Sequence, residues 1–153
     1  MKLRILGCSG GIGGESLRTT SLLVDDDVLI DAGTGVGDLP IEELARIDHL
    51  FLTHTHLDHI ACLPLMIDSV ADRRSRPLTV YGAPAVLDIL RKHVFNWLVW
   101  PDFAEVPSAD NPFMRYQPIE LLKPVTLGGR SFTPLPVDHT VPAVGYRLDS
   151  GAG

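Results

Sequence analysis

The 153-residue sequence has few cysteines, no excess of positive charge and no long apolar run. Two cysteines, Cys8 and Cys62, are too few for a disulfide framework, so they predict a protein of the reducing cytoplasm. A net charge of −6 argues against sequence-independent binding to nucleic acid or an anionic membrane, since both need a positive surface. No apolar run approaches the roughly 20 residues of a membrane span. A small anionic substrate held by a few local groups is still compatible with this composition.

The histidines, by contrast, are concentrated in one place. His54, His56, Asp58 and His59 fall within the six residues 54–59, and burying so many polar groups is costly unless something binds them. An apolar run at 50–52 precedes them and a helix-like stretch at 58–67 follows, so the motif lies on a loop between a strand and a helix. Side chains on such a loop can converge on one point. Imidazole and carboxylate together suit zinc, or else manganese or iron.

Strand and helix patterns cover much of the remaining chain. Helices are predicted at 40–47 and 84–93, each beginning with proline and carrying apolar residues on one face. Strands are predicted at 2–8, 19–24, 28–31, 78–82, 115–119, 125–127, 129–137 and 144–149. Alternating strands and helices favour an α/β protein, and 45% hydrophobic residues suffice for the core of one domain.

Three other segments leave alternatives open. The glycine-rich segment 9–14 lacks the Lys and Ser or Thr of a Walker sequence, so a tight loop is favoured over a phosphate-binding loop. The basic segment 72–76 is typical of a solvated helix end, with anion binding as the alternative. The aromatic segment 95–103 fits either the packing of a long connection or the wall of a pocket for a planar ligand.

The spacing H-x-H-x-D-H at 54–59 resembles the signature of the metallo-β-lactamase superfamily. A longer pattern is similar to the class II cyclic-nucleotide phosphodiesterases within it. It consists of HTHLDHI at 54–60, LTVY at 78–81, HVFN at 93–96 and WPDF at 100–103. The chain departs from that class at Cys62, where Gly or Ser is usual, and at Pro64. The resemblance favours the pocket for the aromatic segment, with Trp97, Trp100 and Phe103 as candidates.

The resemblance also implies two metal positions. His54 and His56 would bind the first metal together with His139, which follows a predicted strand. Asp58 and His59 would bind the second, and Asp58 would also act in catalysis by orienting the attacking water.

Asp31 is implied as a support for the metal loop. A ligating imidazole needs its other nitrogen fixed by an acceptor, and an aspartate at the end of a neighbouring strand can supply one. The alternative is that Asp31 caps the turn after its strand.

The fold implied is the αββα sandwich of the metallo-β-lactamases, an α+β arrangement within the α/β class, as one domain over residues 1–153. Relatives continue with a strand that ends in a metal-bridging aspartate and later supply one more histidine. Asp149 follows His139 too closely to be that bridge and is expected in a turn. We therefore expect the N-terminal portion of a longer protein, whose uncovered apolar face leads to homo-oligomers or to association with a partner.

Three functions are compatible with these features. The first is a zinc-dependent phosphodiesterase that hydrolyses a cyclic nucleotide or related small phosphoester with metal-activated water. The second is another hydrolase of the superfamily, such as an RNase Z-like nuclease, although the acidic balance disfavours RNA. The third is a metal-binding half-domain without catalytic activity.

Overall fold

A computed structural model of the protein describes residues 1–151 and contains three β-sheets. The strands are β1 (Leu3–Gly7), β2 (Ser21–Val24), β3 (Val28–Ile30), β4 (His49–Phe51), β5 (Leu78–Gly82), β6 (Pro107–Ser108), β7 (Asn111–Pro112), β8 (Met114–Pro118), β9 (Val125–Leu127), β10 (Arg130–Pro136) and β11 (Val144–Asp149). The helices are α1 (Ile41–Leu44), α2 (Leu57–Ile60), α3 (Leu63–Val70) and α4 (Pro84–His93), with short 3₁₀ turns at Thr34–Asp38 and Ala71–Arg73.

The main sheet has six strands in the order β1-β2-β3-β4-β5-β8. The first three form an antiparallel meander, and β3, β4, β5 and β8 run parallel, with Ile30 beside Phe51 and Phe51 beside Tyr81. The turn between β2 and β3 includes Asp25 at φ 51°, a left-handed conformation that aspartate tolerates. Because the carboxyl ends of the parallel strands meet at one edge, residues just after β3 and β4 are brought together.

The two faces of the main sheet bury different sets of side chains. Leu29, Leu50 and Val80 face α3 and α4 and form one core with apolar residues of those helices. Phe51 and Tyr81, one position further along β4 and β5, face the opposite way into a second core. Strand neighbours thus alternate between the two cores, as expected for a sheet that is covered on both sides.

A smaller antiparallel sheet, in the order β11-β10-β9, covers the second core. Phe51 is fully buried there, with its ring centroid 4.3 Å from Tyr81 and 4.7 Å from Phe132. Arg130 ties the same sheet to the turn between β2 and β3 through bonds of 2.7 and 2.8 Å to Asp27. Helices, main sheet and small sheet make three successive layers, which correspond to the first three layers of the αββα architecture.

Several expectations differ from the structure. The helix predicted at 40–47 is the shorter α1, Ile41–Leu44. The predicted helix at 58–67 is two helices, α2 and α3, because Pro64 lies in the first turn of α3 and cannot continue the hydrogen-bond ladder from α2. The outer face of the small sheet is polar rather than apolar, with Thr126 and Ser131 in register and Arg147 nearby. Exposed apolar side chains lie on β1, where Leu3 and Ile5 are 49% and 63% exposed, and also beside the small sheet, where Leu122 and Val137 are 65% and 48% exposed. None of the helices in residues 1–151 is long and apolar enough to cross a bilayer.

Candidate metal centre

The support for the histidine loop begins at Asp31, which follows β3 and is 1% exposed. Its Oδ1 accepts the backbone N–H of Thr53 at 2.8 Å, and its Oδ2 accepts the Thr53 hydroxyl at 2.7 Å. The same Oδ2 lies 2.7 Å from Nδ1 of His59, which donates its proton. Asp31 therefore fixes both the loop after β4 and one imidazole of the motif, and its role as the support of a metal site stays a prediction.

The Thr53 hydroxyl also determines the tautomer of His54. Since that hydroxyl donates to the Asp31 carboxylate, its oxygen can only accept from Nδ1 of His54, 2.9 Å away. His54 and His59 consequently both carry a proton on Nδ1 and leave Nε2 as a lone pair for a ligand. Sequence reasoning missed Thr53. The available signal was a hydroxyl residue placed directly between a buried strand and the first histidine.

Three imidazoles converge beside this support. His54, His56 and His139 each offer a ligand atom, and these atoms lie within 4.8 Å of one another. The ring centroid of His54 lies 4.7 Å from that of His56 and 4.5 Å from that of His139. The centroids of His56 and His139 are 5.0 Å apart. Nε2 of His54 and Nε2 of His139 are 3.1 Å apart, close to the roughly 3.3 Å that two zinc–nitrogen bonds at a tetrahedral angle would produce. This donor set fits zinc.

The His139 ring has a second contact that affects metal binding. The backbone N–H of Thr140 donates to its Nδ1 at 2.9 Å, so in this arrangement the ring proton is on Nε2 and points at His54. A metal between the two Nε2 atoms needs both as lone pairs. Binding therefore requires His139 to carry its proton on Nδ1 and to release the Thr140 N–H.

Asp58 and His59 lie side by side next to this cluster, and the second metal position expected for them stays a prediction. Oδ2 of Asp58 lies 3.4 Å from Nε2 of His59, and the His59 ring centroid is 4.0 Å from that of His54. The side chains are 29% and 16% exposed, so ligands can reach both. The described residues thus bring three imidazoles together at one position, with Asp58 and His59 beside it.

Burial and neighbouring charges set the protonation of two of these rings. Burial, helped by the nearby His59 imidazole and opposed by Asp31, lowers the pKa of His54 to about 4. His54 is therefore neutral at pH 7, as a ligand must be. For His59, burial acts to lower the pKa, but the hydrogen bond and charge of Asp31 outweigh it and the pKa is raised.

The three aromatic pocket candidates lie in different environments. Phe103 is 5% exposed, with its ring centroid 6.2 Å from Phe95 and 6.0 Å from Phe113 in the core. Trp100 packs against the same core, whereas Trp97 is 59% exposed. The part of Trp97, Trp100 and Phe103 in ligand binding stays a prediction.

The model of the family of class-II cAMP phosphodiesterases matches residues 42–139, well over half of the chain. The protein belongs to this family. The matched segment runs from α1 to His139 and includes all three converging imidazoles.

Relatives of this class-II phosphodiesterase family member include two kinds of enzyme. The chain is 34% identical over 101 residues to 3′,5′-cyclic-nucleotide phosphodiesterase 1 of Saccharomyces cerevisiae. This match covers 65% of the chain and 27% of the yeast protein. The chain is 29% identical over 159 residues to the ribonuclease Z of Kineococcus radiotolerans, covering 99% of this chain and 48% of that protein. The chain therefore spans about half, or less, of the length of these relatives.

The fold is confirmed by solved structures. The metallo-β-lactamase fold protein YhfI of Bacillus subtilis superposes with a TM-score of 0.71 at 22% identity, covering 98% of this chain and 59% of that one. The phosphodiesterase family member therefore has the metallo-β-lactamase fold that its histidine motif predicted.

Proposed function

We propose that this protein is a zinc-dependent hydrolase of phosphodiesters, with a cyclic nucleotide or a related small phosphoester as substrate. The main support is the convergence of His54, His56 and His139, with the His54 lone pair set by Thr53. The match to the class-II cAMP phosphodiesterase family supports the choice of substrate. The two free cysteines suit a cytoplasmic protein.

Each residue of the centre has a separate task in this proposal. His54, His56 and His139 hold the metal, and Asp58 and His59 hold the neighbouring position. A metal bound there would supply Lewis acidity for the phosphoryl oxygen and would lower the pKa of a bound water. The Asp58 carboxylate orients the attacking water by accepting its proton in a hydrogen bond. Asp31 and Thr53 keep the imidazoles in the orientation that the ligand atoms need.

A second candidate function is RNA processing. The match to the ribonuclease Z of Kineococcus radiotolerans extends over 99% of this chain, further than the match to the yeast phosphodiesterase. The net charge of −6 disfavours an extended RNA contact, because phosphate backbones are bound mainly through cations. The small phosphoester is therefore the preferred substrate.

Zinc-reconstituted protein should be assayed on cyclic AMP, bis-p-nitrophenyl phosphate and a tRNA precursor. We expect turnover of the first two that requires zinc and is lost in His139→Ala. His93→Ala, an exposed histidine at the end of α4, is the matched control and should keep wild-type activity. Cleavage of the tRNA precursor alone would favour the nuclease. If the protein binds zinc stoichiometrically but hydrolyses none of the three substrates, a metal-binding half-domain without catalytic activity would be the better description.

A further inference from the structure

A cleft of about 410 Å³ lies beside Asp58, at the edge of the histidine motif. The glycine-rich loop after β1 contributes Gly10, Gly11 and Ile12 to its lining, and the start of α2 contributes Leu57 and Asp58. We refer to the space bounded by these five residues as the glycine cleft. Its volume is within the ordinary range of about 300–1,000 Å³ for small-molecule sites.

The walls of the glycine cleft are apolar and unusually exposed. Ile12 is 75% exposed, and Leu57, which stands between the metal-binding candidates His56 and Asp58, is 73% exposed. Side chains of this size usually gain stability by burial, so their exposure beside a candidate metal centre indicates a ligand-binding surface. Asp58 is the one charged residue among the described residues that line the cleft.

The glycines of the cleft are not required by packing. At Gly33 and Gly35 an added Cβ would come within 2.5 and 2.4 Å of backbone oxygens, so the fold itself demands glycine there. At Gly10 and Gly11 an added Cβ would meet no atom of the described residues within 4 Å, and neither residue has a left-handed φ. Their lack of a side chain keeps space open at the cleft, which a binding function explains and folding does not.

A pair of threonines adds a few fixed polar atoms to the otherwise apolar lining of the cleft. The N–H of Thr19 donates to Oγ1 of Thr34 at 2.9 Å, and the N–H of Thr34 donates to Oγ1 of Thr19 at 2.8 Å. Both residues border the cleft. The partly exposed Thr34 hydroxyl keeps its own proton to donate, because the bond described uses only its oxygen as an acceptor, whereas Thr19 is 3% exposed. A few polar groups in an apolar cleft are typical of sites that orient a small ligand.

We infer that the glycine cleft binds the organic group of the phosphoester, with an uncharged planar ring such as a nucleobase between Ile12 and Leu57. This inference rests on the proposed function, since it assumes that the phosphoryl group lies at the metal centre. The charges of the lining residues agree with a phosphoryl group at the metal centre and a neutral ring in the cleft. The cleft offers no cation among its described lining residues, so the phosphate belongs at the metal and the neutral ring in the cleft. Gly10 and Gly11 let the ring approach the backbone closely.

Binding to the zinc-loaded 153-residue protein tests this inference without depending on turnover. Adenosine monophosphate and inorganic phosphate should be titrated calorimetrically into wild type, Gly11→Val and Gly37→Val. Gly37 is the matched control, because it is exposed, also has open space at its Cβ and does not line the glycine cleft. We expect Gly11→Val to weaken the nucleotide roughly tenfold and phosphate less than about twofold, and Gly37→Val to change neither.

Amide NMR spectra give a second measurement that tolerates weak binding. The amides of Gly10, Gly11 and Ile12 should shift with the nucleotide and not with inorganic phosphate. If Gly11→Val binds the nucleotide as tightly as wild type, or these amides respond equally to phosphate, the cleft is misassigned while the hydrolase proposal stands. If neither ligand binds the zinc-loaded protein, the proposed function is wrong and the cleft inference falls with it.

Discussion

One hydroxyl, that of Thr53, connects Asp31 to His54 through bonds of 2.7 and 2.9 Å. Replacing Thr53 with Val removes this link and frees His54 to adopt the other tautomer. We expect zinc affinity to fall roughly 10–100-fold, the usual cost of losing a partner behind a metal ligand. Competition with a fluorescent zinc chelator measures it. Thr53→Ser keeps the hydroxyl and should bind like wild type, and equal affinity in Thr53→Val would show that the bridge does not matter.

The cluster of candidate donors is visible in the sequence, whereas the hydrogen bond between Thr53 and Asp31 is not. His54, His56, Asp58 and His59 are close in sequence, so their spacing alone indicates a shared site. The task of Thr53 depends on a carboxylate 22 residues away that reaches it only when β3 and β4 pair in parallel. Contacts of this kind are a product of tertiary structure, and a single sequence does not display them.

The small sheet carries the third imidazole to the first two. The Tyr146 hydroxyl donates to the buried carbonyl of Leu52 at 2.9 Å, and the Val144 N–H donates to the carbonyl of Thr53 at 3.0 Å. Both contacts lie on β11, just beyond the loop that holds His139. Small displacements of β11 would therefore move His139 relative to His54.

Replacing Tyr146 with Phe should lower the free energy of unfolding by about 1–3 kcal/mol, because a buried carbonyl loses its donor. Zinc affinity should fall as well. Tyr116→Phe is the matched control, since the Tyr116 hydroxyl is buried without a hydrogen-bond partner in the described chain and its loss should cost little. Urea denaturation and zinc titration of both variants provide the measurement. Equal effects in the two variants would refute a role for β11 in placing His139.

Arg130 binds the small sheet to the turn between β2 and β3 through Asp27. The contribution of Arg130 to the free energy of unfolding should depend on pH. Its hydrogen bond and charge hold the pKa of Asp27 below the ordinary 3.8, against the opposing effect of burial. Because the pKa of Asp27 is lower in the folded state, its ionised carboxylate stabilises the fold at pH values above 3.8. This contribution to the free energy of unfolding is lost as the pH falls through the folded-state pKa. Arg130→Gln should therefore cost about 1–2 kcal/mol at pH 7, discounted for partial exposure, and progressively less below about pH 4.

Thermal or urea unfolding of Arg130→Gln and wild type from pH 7 to pH 3 measures this difference. Arg147→Gln, on the polar outer face of the same sheet, is the control and should cost little at any pH. A cost for Arg130→Gln that does not change with pH would rule out the pair with Asp27 as its source.

Local patterns predicted several elements to the residue, misplaced the ends of others and missed the break between α2 and α3. The strands at 78–82, 125–127 and 144–149 and the helix at 84–93 have the predicted bounds. Each is a short apolar segment with clear flanking signals, so local sequence decides it. The division between α2 and α3 was missed because the apolar period continues through Cys62, and only Pro64 marks the break.

Zinc should stabilise the whole molecule, because its candidate ligands come from both sides of the second core. At free zinc of about 100 times Kd, linkage predicts a gain of about 2.7 kcal/mol in unfolding free energy. In His56→Ala two imidazoles are left, and most of this gain should disappear. Differential scanning calorimetry with and without zinc measures both. A zinc-induced rise in Tm that is the same in His56→Ala would remove His56 from the ligand set.

The exposed edge of the main sheet predicts self-association. β1 is the edge strand, and Leu3 and Ile5 present apolar side chains beside unpaired backbone groups, a combination that favours pairing with another chain. Light scattering at high micromolar concentration should give a mass above that of one chain, and Ile5→Lys should reduce it. A monodisperse monomer for wild type would show that this edge is tolerated in water.

The wide separation of the imidazoles along the chain has a consequence during protein synthesis. His139 is made 80 residues after His59 (139 − 59). At about 5–20 residues per second, a growing chain displays the first histidines for roughly 4–16 s before the third ligand exists. During that interval a captured ion is held by fewer ligands and exchanges readily. If these imidazoles bind a metal as proposed, an ion taken up early would stay replaceable until β11 docks, and the finished site rather than the order of encounter would decide which ion is retained.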